Sequence, residues 1–296
     1  MKRILEYMVS DREEGWTVKR FLKARGFSSQ NLVQLKKDPG AILVNGQPAY
    51  VIHPVHSGDS LRILILEERS SDKIPAVPLP LSVVYEDEDL MVIDKPAGMP
   101  IHPSMNNYDN SLANTLAWYF EQKGEAFVFR CINRLDRDTT GLTLIAKHMV
   151  SAGILSGMAM RREIGREYLA IAEGTGLPAQ GCIDTPLGRK PGSAIERMVD
   201  PEHGERAVTH YRVLEERNGC TLLSLRLETG RTHQIRVHMK SIGHPLIGDF
   251  LYNPGSGRMK RQALHSGRLS FSHPVTGEPL TFTSPMPADM RRAWEG

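Results

Sequence analysis

A chain of 296 residues exceeds the usual span of one hydrophobic core, so two domains are expected. With 40% hydrophobic and 24% charged residues the composition is that of an ordinary globular protein, not of a disordered one. No apolar run approaches the roughly 18 to 20 residues that span a bilayer, and the opening MKRILEYMVSDREEGW has no apolar core of a secretory signal, so no membrane partner and a cytoplasmic location are expected. Cys131, Cys182 and Cys220 are far apart, odd in number and form no CxxC, which argues against a disulfide framework or a zinc site. Eleven histidines are scattered without an HExxH, and no cofactor or metal is expected.

The net charge of +3 is unevenly spread: residues 1–66 carry ten Lys/Arg against six Asp/Glu, leaving −1 for the remainder. Lys19, Arg20, Lys23, Arg25, Lys36 and Lys37 cluster within residues 15–40 against the single acid Asp38. Such a basic face on a small module suits a phosphate backbone, although a solvated lysine face is the commoner outcome.

In chain order, Val18, Phe21 and Leu22 fall at helical spacing in TVKRFLKAR, a helix that Gly26 ends. Ser28 is a fair N-cap for a second helix carrying Leu32, Val33 and Leu35, and Asp38-Pro39-Gly40 stops it. AILVNGQPA then reads as a hairpin turning at Asn45-Gly46. Residues 66–82, LEERSSDKIPAVPLPLS, are polar and proline-rich and read as a linker that few contacts cross. Three segments follow from this reading: a module at 1–68, a linker at 69–82 and a larger domain at 83–296.

Beyond the linker, short strands alternate with helices. VVYEDEDLMVI reads as strand, acidic solvated turn and strand, then a Pro-Gly loop follows. Leu112, Leu116 and Tyr119 mark one face of a helix from Ser111 to Phe120. LTLIAK is a short strand and HMVSAGILSGMAMRR a helix. Residues 164–172, 207–215 and 221–228 read as strands, and 237–242 as helix. No repeat of 20 to 50 residues is visible. The larger domain is therefore expected to be α+β on a central mixed sheet.

Four stretches stand out together: EDLMVIDKPAGMPIHPS, INRLDRDTTGL, REYLAIAEG and ETGRTHQIRVHMKSIGHPLIGD. On these motifs the chain resembles the RluA family of RNA pseudouridine synthases, from about residue 15 to 287. The HRLD-type motif stands as Asn133-Arg134-Leu135-Asp136, with Asn133 where the family more often has His and Thr140 where it more often has Ser. The runs GRTHQIR and GHPLIGD match without exception. The N-terminal module resembles the RNA-binding domain named after the fourth protein of the small ribosomal subunit, with Ser29 where that domain usually has Arg.

The resemblance implies a pseudouridine synthase fold, RNA (ribosomal large-subunit or transfer RNA) as the partner, and a monomer. It implies Asp136 as the catalytic aspartate, Arg236 as its ion-pair partner and Tyr168 as the active-site tyrosine. The residue types suit the reaction, in which the bond from sugar to ring nitrogen breaks and the same ring is rejoined through carbon. That needs a carboxylate kept charged, and a guanidinium within about 4 to 6 Å does this. It also needs a flat face for an extruded base. Arg134 and Arg231 are candidates for holding phosphates or the wedge region, and Lys19, Arg20, Lys23, Lys36 and Lys37 for phosphates. Asp138 reads as a turn and cap group, Lys95 as a residue that fixes its loop, and His102, His233, His238 and His244 as structural. A non-catalytic RNA-binding factor and an enzyme of free uridine are the competing readings. The retained Asp136, Tyr168 and Arg236 weigh against the first, and the basic module against the second.

Overall fold

The structure is a computed structural model that describes residues 1–296. Its N-terminal module begins with β1 (Lys2–Met8), a short β2 (Trp16–Thr17), and the helices α1 (Val18–Ala24) and α2 (Ser29–Leu35). Thr17 and Ser28 cap the two helices by accepting from Arg20 N and Asn31 N. The hairpin of β3 (Ile42–Val44) and β4 (Gln47–Pro48) turns at Asn45 and Gly46, both at positive φ as a two-residue turn of this hand requires. After β5 (Pro54–Val55), β6 (Ser60–Leu66) closes an antiparallel sheet in the order β1-β6-β3-β4. Phe21, Leu22, Leu32 and Leu35 are buried beneath this sheet, but Val33 is 55% exposed and points away from it.

The second sheet is large and mixed. It comprises β7 (Val83–Glu86), β8 (Leu90–Lys95), β9 (Thr140–Ala146), β10 (Gly165–Glu173), β11 (Gln180–Asp184), β14 (Val208–Arg217), β15 (Cys220–Leu227), β16 (Leu264–Ser272) and β17 (Pro279–Thr283), with β12 (Leu187–Arg189) and β13 (Arg197–Val199) forming a separate hairpin. The order is β11-β14-β15-β10-β16-β9-β8-β7, with β17 also on β16, and only β16 and β9 run parallel. That one parallel contact joins the two antiparallel halves, and it requires Gly141: a Cβ there would collide with the backbone of Ser266. Helices α3 (Leu112–Gln122), α4 (Met149–Met160), α5 (Gln234–Ser241) and α6 (Ala288–Glu295) complete the fold. No helix is long and apolar enough to cross a membrane.

The proline-rich segment is not a free tether. Ser70 and Ser71 accept through Oγ from Phe127 N and Phe129 N at 3.1 and 3.2 Å, and Asn114 Nδ2 donates to Pro75 O at 2.8 Å. Ile74, Leu79 and Leu81 pack on the core around α3. The module it follows is docked too, because the core of residues 5–65 is continuous with Leu90, Leu144, Ile154 and Leu155. Helices α2 and α4 approach so closely that a Cβ on Gly153 would overlap the Asn31 side chain, whose Nδ2 donates to Met149 O at 2.7 Å. The expectation that few contacts cross this boundary fails, because the apolar residues among the prolines have a surface to cover.

The acidic turn also differs from its sequence reading. Asp89 is 3% exposed, bonded to Arg3 of the module at 2.9 Å and to His148 Nε2 at 2.8 Å. Asp87 accepts from Tyr85 and faces His273 Nε2 at 2.9 Å. Asp87 and Asp89 thus have partners from distant elements, whereas Glu88 stays exposed as the sequence suggests, so only part of the turn is solvated.

Candidate active site

Asp136 lies on the loop between Cys131 and the start of β9, and that loop is pinned from several sides. Asn133, buried, accepts from Leu144 N at 2.7 Å and donates to Leu142 O at 3.2 Å, which fastens the loop to β9. Asp136 O accepts from Thr139 N at 3.1 Å and closes the turn. Lys95, fully buried, donates to Arg137 O, Met99 O and Pro96 O within 3.0 Å, as its loop-fixing role requires. Burial pulls its pKa down to about 7, against the opposing pull of Asp138 and Asp136. Arg261 holds Asp138 O at 3.1 Å. The Asp138 carboxylate pairs with Arg137 at 2.9 Å and caps no helix, so the cap role expected for it is not observed. Thr140, the departure from Ser, sits 2.9 Å from His265 Nδ1.

Arg236 comes from α5, which begins three residues earlier than the sequence suggests. Gln234, Arg236 and His238 are polar and are all buried. Gln234 accepts from Arg231 N and Thr229 Oγ1 and donates to Val208 O and Thr209 Oγ1, which anchors the first turn. Just before the helix His233 adopts φ 58°, an unusual conformation for a residue with a Cβ, held by Nδ1 facing Tyr252 Oη at 2.9 Å.

The guanidinium of Arg236 donates through Nη1 to Asp136 Oδ2 at 3.0 Å. It is not committed to Asp136 alone. Nε and Nη2 form a bidentate pair with Asp249 at 2.7 and 2.9 Å, and Asp249 is fully buried. Asp249 also accepts from Leu251 N and Tyr252 N. Burial opposes charge on Arg236, but Asp249 and Asp136 overcome it and hold the guanidinium above its ordinary pKa. The motif GHPLIGD is legible in sequence, but the role of Asp249 within it is not, because an acid thirteen residues beyond an arginine has no local signature as its partner.

Tyr168, on β10, is 5% exposed and lines the same cavity of about 200 Å³ as Asp136, Arg236, Arg134 and Arg231. Burial pushes its phenol pKa up, so at neutral pH it is a neutral hydroxyl beside a carboxylate. Arg134 is exposed and free of ion pairs. Arg231 is tied to Glu205 at 2.9 Å and to Arg206 O at 3.2 Å. His233 also lines the cavity, with Nε2 3.9 Å from Asp136 Oδ2, and burial lowers its pKa. His238 bonds Thr209 and Thr185 O, and His102 packs edge-on to Phe129.

None of Lys19, Arg20, Lys23, Lys36 and Lys37 lines this cavity; all five are exposed on the module. Arg20 lies 4.1 Å over the Trp16 ring, and Lys23 donates to Ser29 at 2.8 Å. Arg25 departs from the basic face: it pairs with Glu13 at 2.8 Å and stacks on Phe21.

One cavity on the large mixed sheet thus brings together a carboxylate held by a guanidinium and a buried phenol. Residues 89–241 match the family described as RNA pseudouridylate synthase. The chain is 40% identical over 280 residues to the Bacillus subtilis protein named uncharacterized RNA pseudouridine synthase YjbO, covering 95% of this chain and 99% of that one. It is 40% identical over 266 residues to ribosomal large subunit pseudouridine synthase D of Vibrio cholerae, covering 85% and 81%. The solved structure of human RNA pseudouridylate synthase domain containing 1 superposes with a TM-score of 0.59 at 27% identity, over 71% of this chain and 85% of that one. The chain belongs to the RNA pseudouridine synthases of the RluA family, isomerases that convert uridine in RNA to pseudouridine.

Proposed function

We propose that this chain isomerises uridine in large-subunit ribosomal RNA, with Asp136 as the catalytic carboxylate. The observation that carries the reading is Asp136 held 3.0 Å from Arg236 in a cavity walled by Tyr168. The names of its relatives, ribosomal large subunit pseudouridine synthase D among them, support the RNA class. A uridine stacked in RNA cannot reach this cavity, so it must be extruded at a cost of a few kcal/mol. Packing on Tyr168 and Leu135 offsets part of that cost. Asp136 then acts as nucleophile or base while the bond from C1′ to N1 breaks. The ring turns and its C5 bonds to C1′; the proton lost from C5 and the one gained at N1 leave the composition unchanged. In this reading the neutral Tyr168 hydroxyl passes such a proton. Residues 1–68 serve as an RNA-binding module of the small-subunit type, followed by the 69–82 segment and a catalytic domain at 83–296.

Asp136→Asn keeps the shape of the side chain but can act neither as nucleophile nor as base. It is expected to keep fold and RNA affinity and to lose turnover, measured as tritium release from a transcript labelled at C5 of uridine. Activity within about tenfold of the parent would remove Asp136 from the mechanism. Carbodiimide mapping of RNA from cells with and without the gene then names the uridine.

A further inference from the structure

Arg166 opens the REYLAIAEG stretch two residues before Tyr168 on β10 and lines the same cavity, but it has no role in the reaction proposed above. The other arginines there are engaged or solvent-exposed: Arg236 is held by Asp136 and Asp249, Arg231 by Glu205, and Arg134 lies at the surface. Arg166 is half-buried, its side chain makes no ion pair and no hydrogen bond, and its Nε is buried without a partner. A buried N–H of a charged group without an acceptor is unfavourable, and an anionic oxygen is the acceptor that matches its charge. The opposite wall makes room for it. Gly230 faces the guanidinium so closely that a Cβ added there would stand 3.1 Å from Nη1, and Gly230 has no positive φ that would explain a glycine on backbone grounds.

The chemistry of the occupant follows from charge and place. Uracil is neutral until its glycosidic bond breaks. A nucleotide turned into this cavity carries its flanking phosphates to the mouth, where a half-buried guanidinium meets one. The planar fork of arginine matches two phosphate oxygens.

We propose that Arg166, in the space left by Gly230, binds a backbone phosphate flanking the uridine that enters the cavity. This subsite belongs to the catalytic domain and is distinct from the basic face of the module. It rests on the pseudouridine synthase reading given above.

The test uses an unmodified transcript of large-subunit ribosomal RNA and the full-length chain. Filter binding over a salt series, in an Asp136→Asn background that does not turn the RNA over, compares Arg166→Ala, Arg166→Lys and Gly230→Ala with the Asp136→Asn single variant. Arg166→Ala is expected to weaken binding by about 10-fold to 100-fold and to lower the log-log salt slope by about 0.7 to 0.9. Arg166→Lys keeps the slope and recovers part of the affinity, and Gly230→Ala moves both in the direction of Arg166→Ala by less. With Asp136 restored, the loss is expected chiefly as a rise in the RNA concentration that gives half-maximal single-turnover rate, by about the same factor as the loss of binding. Parental affinity and slope in Arg166→Ala, with an active parent, overturn the subsite alone. A saturated rate that collapses while the slope is unchanged means Arg166 acts on the uracil, which also overturns it. A parent that forms no pseudouridine in this RNA removes the underlying reading and the subsite together.

Discussion

Arg236 holds two carboxylates of unequal environment, and the difference decides which pairing matters for stability. Asp136 has a quarter of its side chain exposed, whereas Asp249 has none. Removing the guanidinium therefore leaves water to solvate Asp136 but strands Asp249 in the interior. One-sided rupture of a buried pair costs about 3 to 5 kcal/mol, and Arg236→Ala is expected to fall in that range chiefly through Asp249. Asp249→Asn has the corresponding effect from the other side: the amide NH₂ meets guanidinium N–H groups, and Arg236 loses the fork that aims it at Asp136. Its melting temperature should drop and its turnover number fall by more than about tenfold, since displacing a catalytic group by about 1 Å costs on the order of a hundredfold. Thermal melts and tritium-release rates check both; parental values in Asp249→Asn would show that Asp136 needs no support beyond Arg236.

The edge of the large sheet is fastened by one carboxylate. Glu86, at the end of β7, accepts from Lys147 at the end of β9 at 2.8 Å, and from Lys123 and Tyr119 of the α3 region at 3.0 and 2.6 Å. Burial raises its pKa, but the bonds from Lys147, Tyr119 and Lys123 outweigh that and hold it at about 2. A carboxyl depressed in the folded state contributes stability that is full above its ordinary value near 4.5 and is lost as pH falls toward about 2. Glu86→Gln should thus be less stable than the parent at pH 7, and the gap should close between about pH 4.5 and 2. Urea unfolding at a series of pH values reads this directly, with a maximal slope change of about 1.4 kcal/mol per pH unit for one proton, reduced here because the group is partly solvated. A gap that persists unchanged at pH 2 would mean that the hydrogen bonds the carboxyl accepts, not its charge, were responsible. Lys147 makes the same point structurally, since with Glu86 neutral it keeps only Asp87 O.

At the scale of the molecule, the docking of the module bears on what a truncation can show. Deleting residues 1–68 would uncover Ile154 and Met158, remove Arg3 from Asp89, and remove Glu67 from Arg130, a pair at 2.9 Å. The remaining chain is expected to melt well below the full-length protein, by about 10 °C or more, or to aggregate, because a loss of 1 kcal/mol shifts a domain of this size by about 2 to 4 °C. Differential scanning calorimetry of residues 69–296 against the full chain decides it, and coincident melts would restore an independent catalytic domain. RNA binding by the module is better tested by charge reversal. Lys19, Lys23, Lys36 and Lys37 are exposed, so changing them to Glu disturbs no core. The salt slope should then fall by about 0.7 to 0.9 for each of these lysines that meets a phosphate in the parent.

The sequence by itself determined the family and most of the elements that build the fold. Apolar spacing in TVKRFLKAR and around Leu112, the Asn45-Gly46 turn, the cap at Ser28, and the motifs holding Asp136, Tyr168 and Arg236 are all local, and local patterns survive in a linear chain. What only the tertiary structure decided depends on partners far apart in sequence. Asp249 on Arg236, Arg3 on Asp89, the seating of residues 69–82 on α3, and the burial of the polar first turn of α5 each join segments that no period or spacing connects. The unpaired guanidinium of Arg166 is of the same kind. A charge with a partner and a charge without one read alike in sequence, because pairing is a property of distance and burial rather than of residue type.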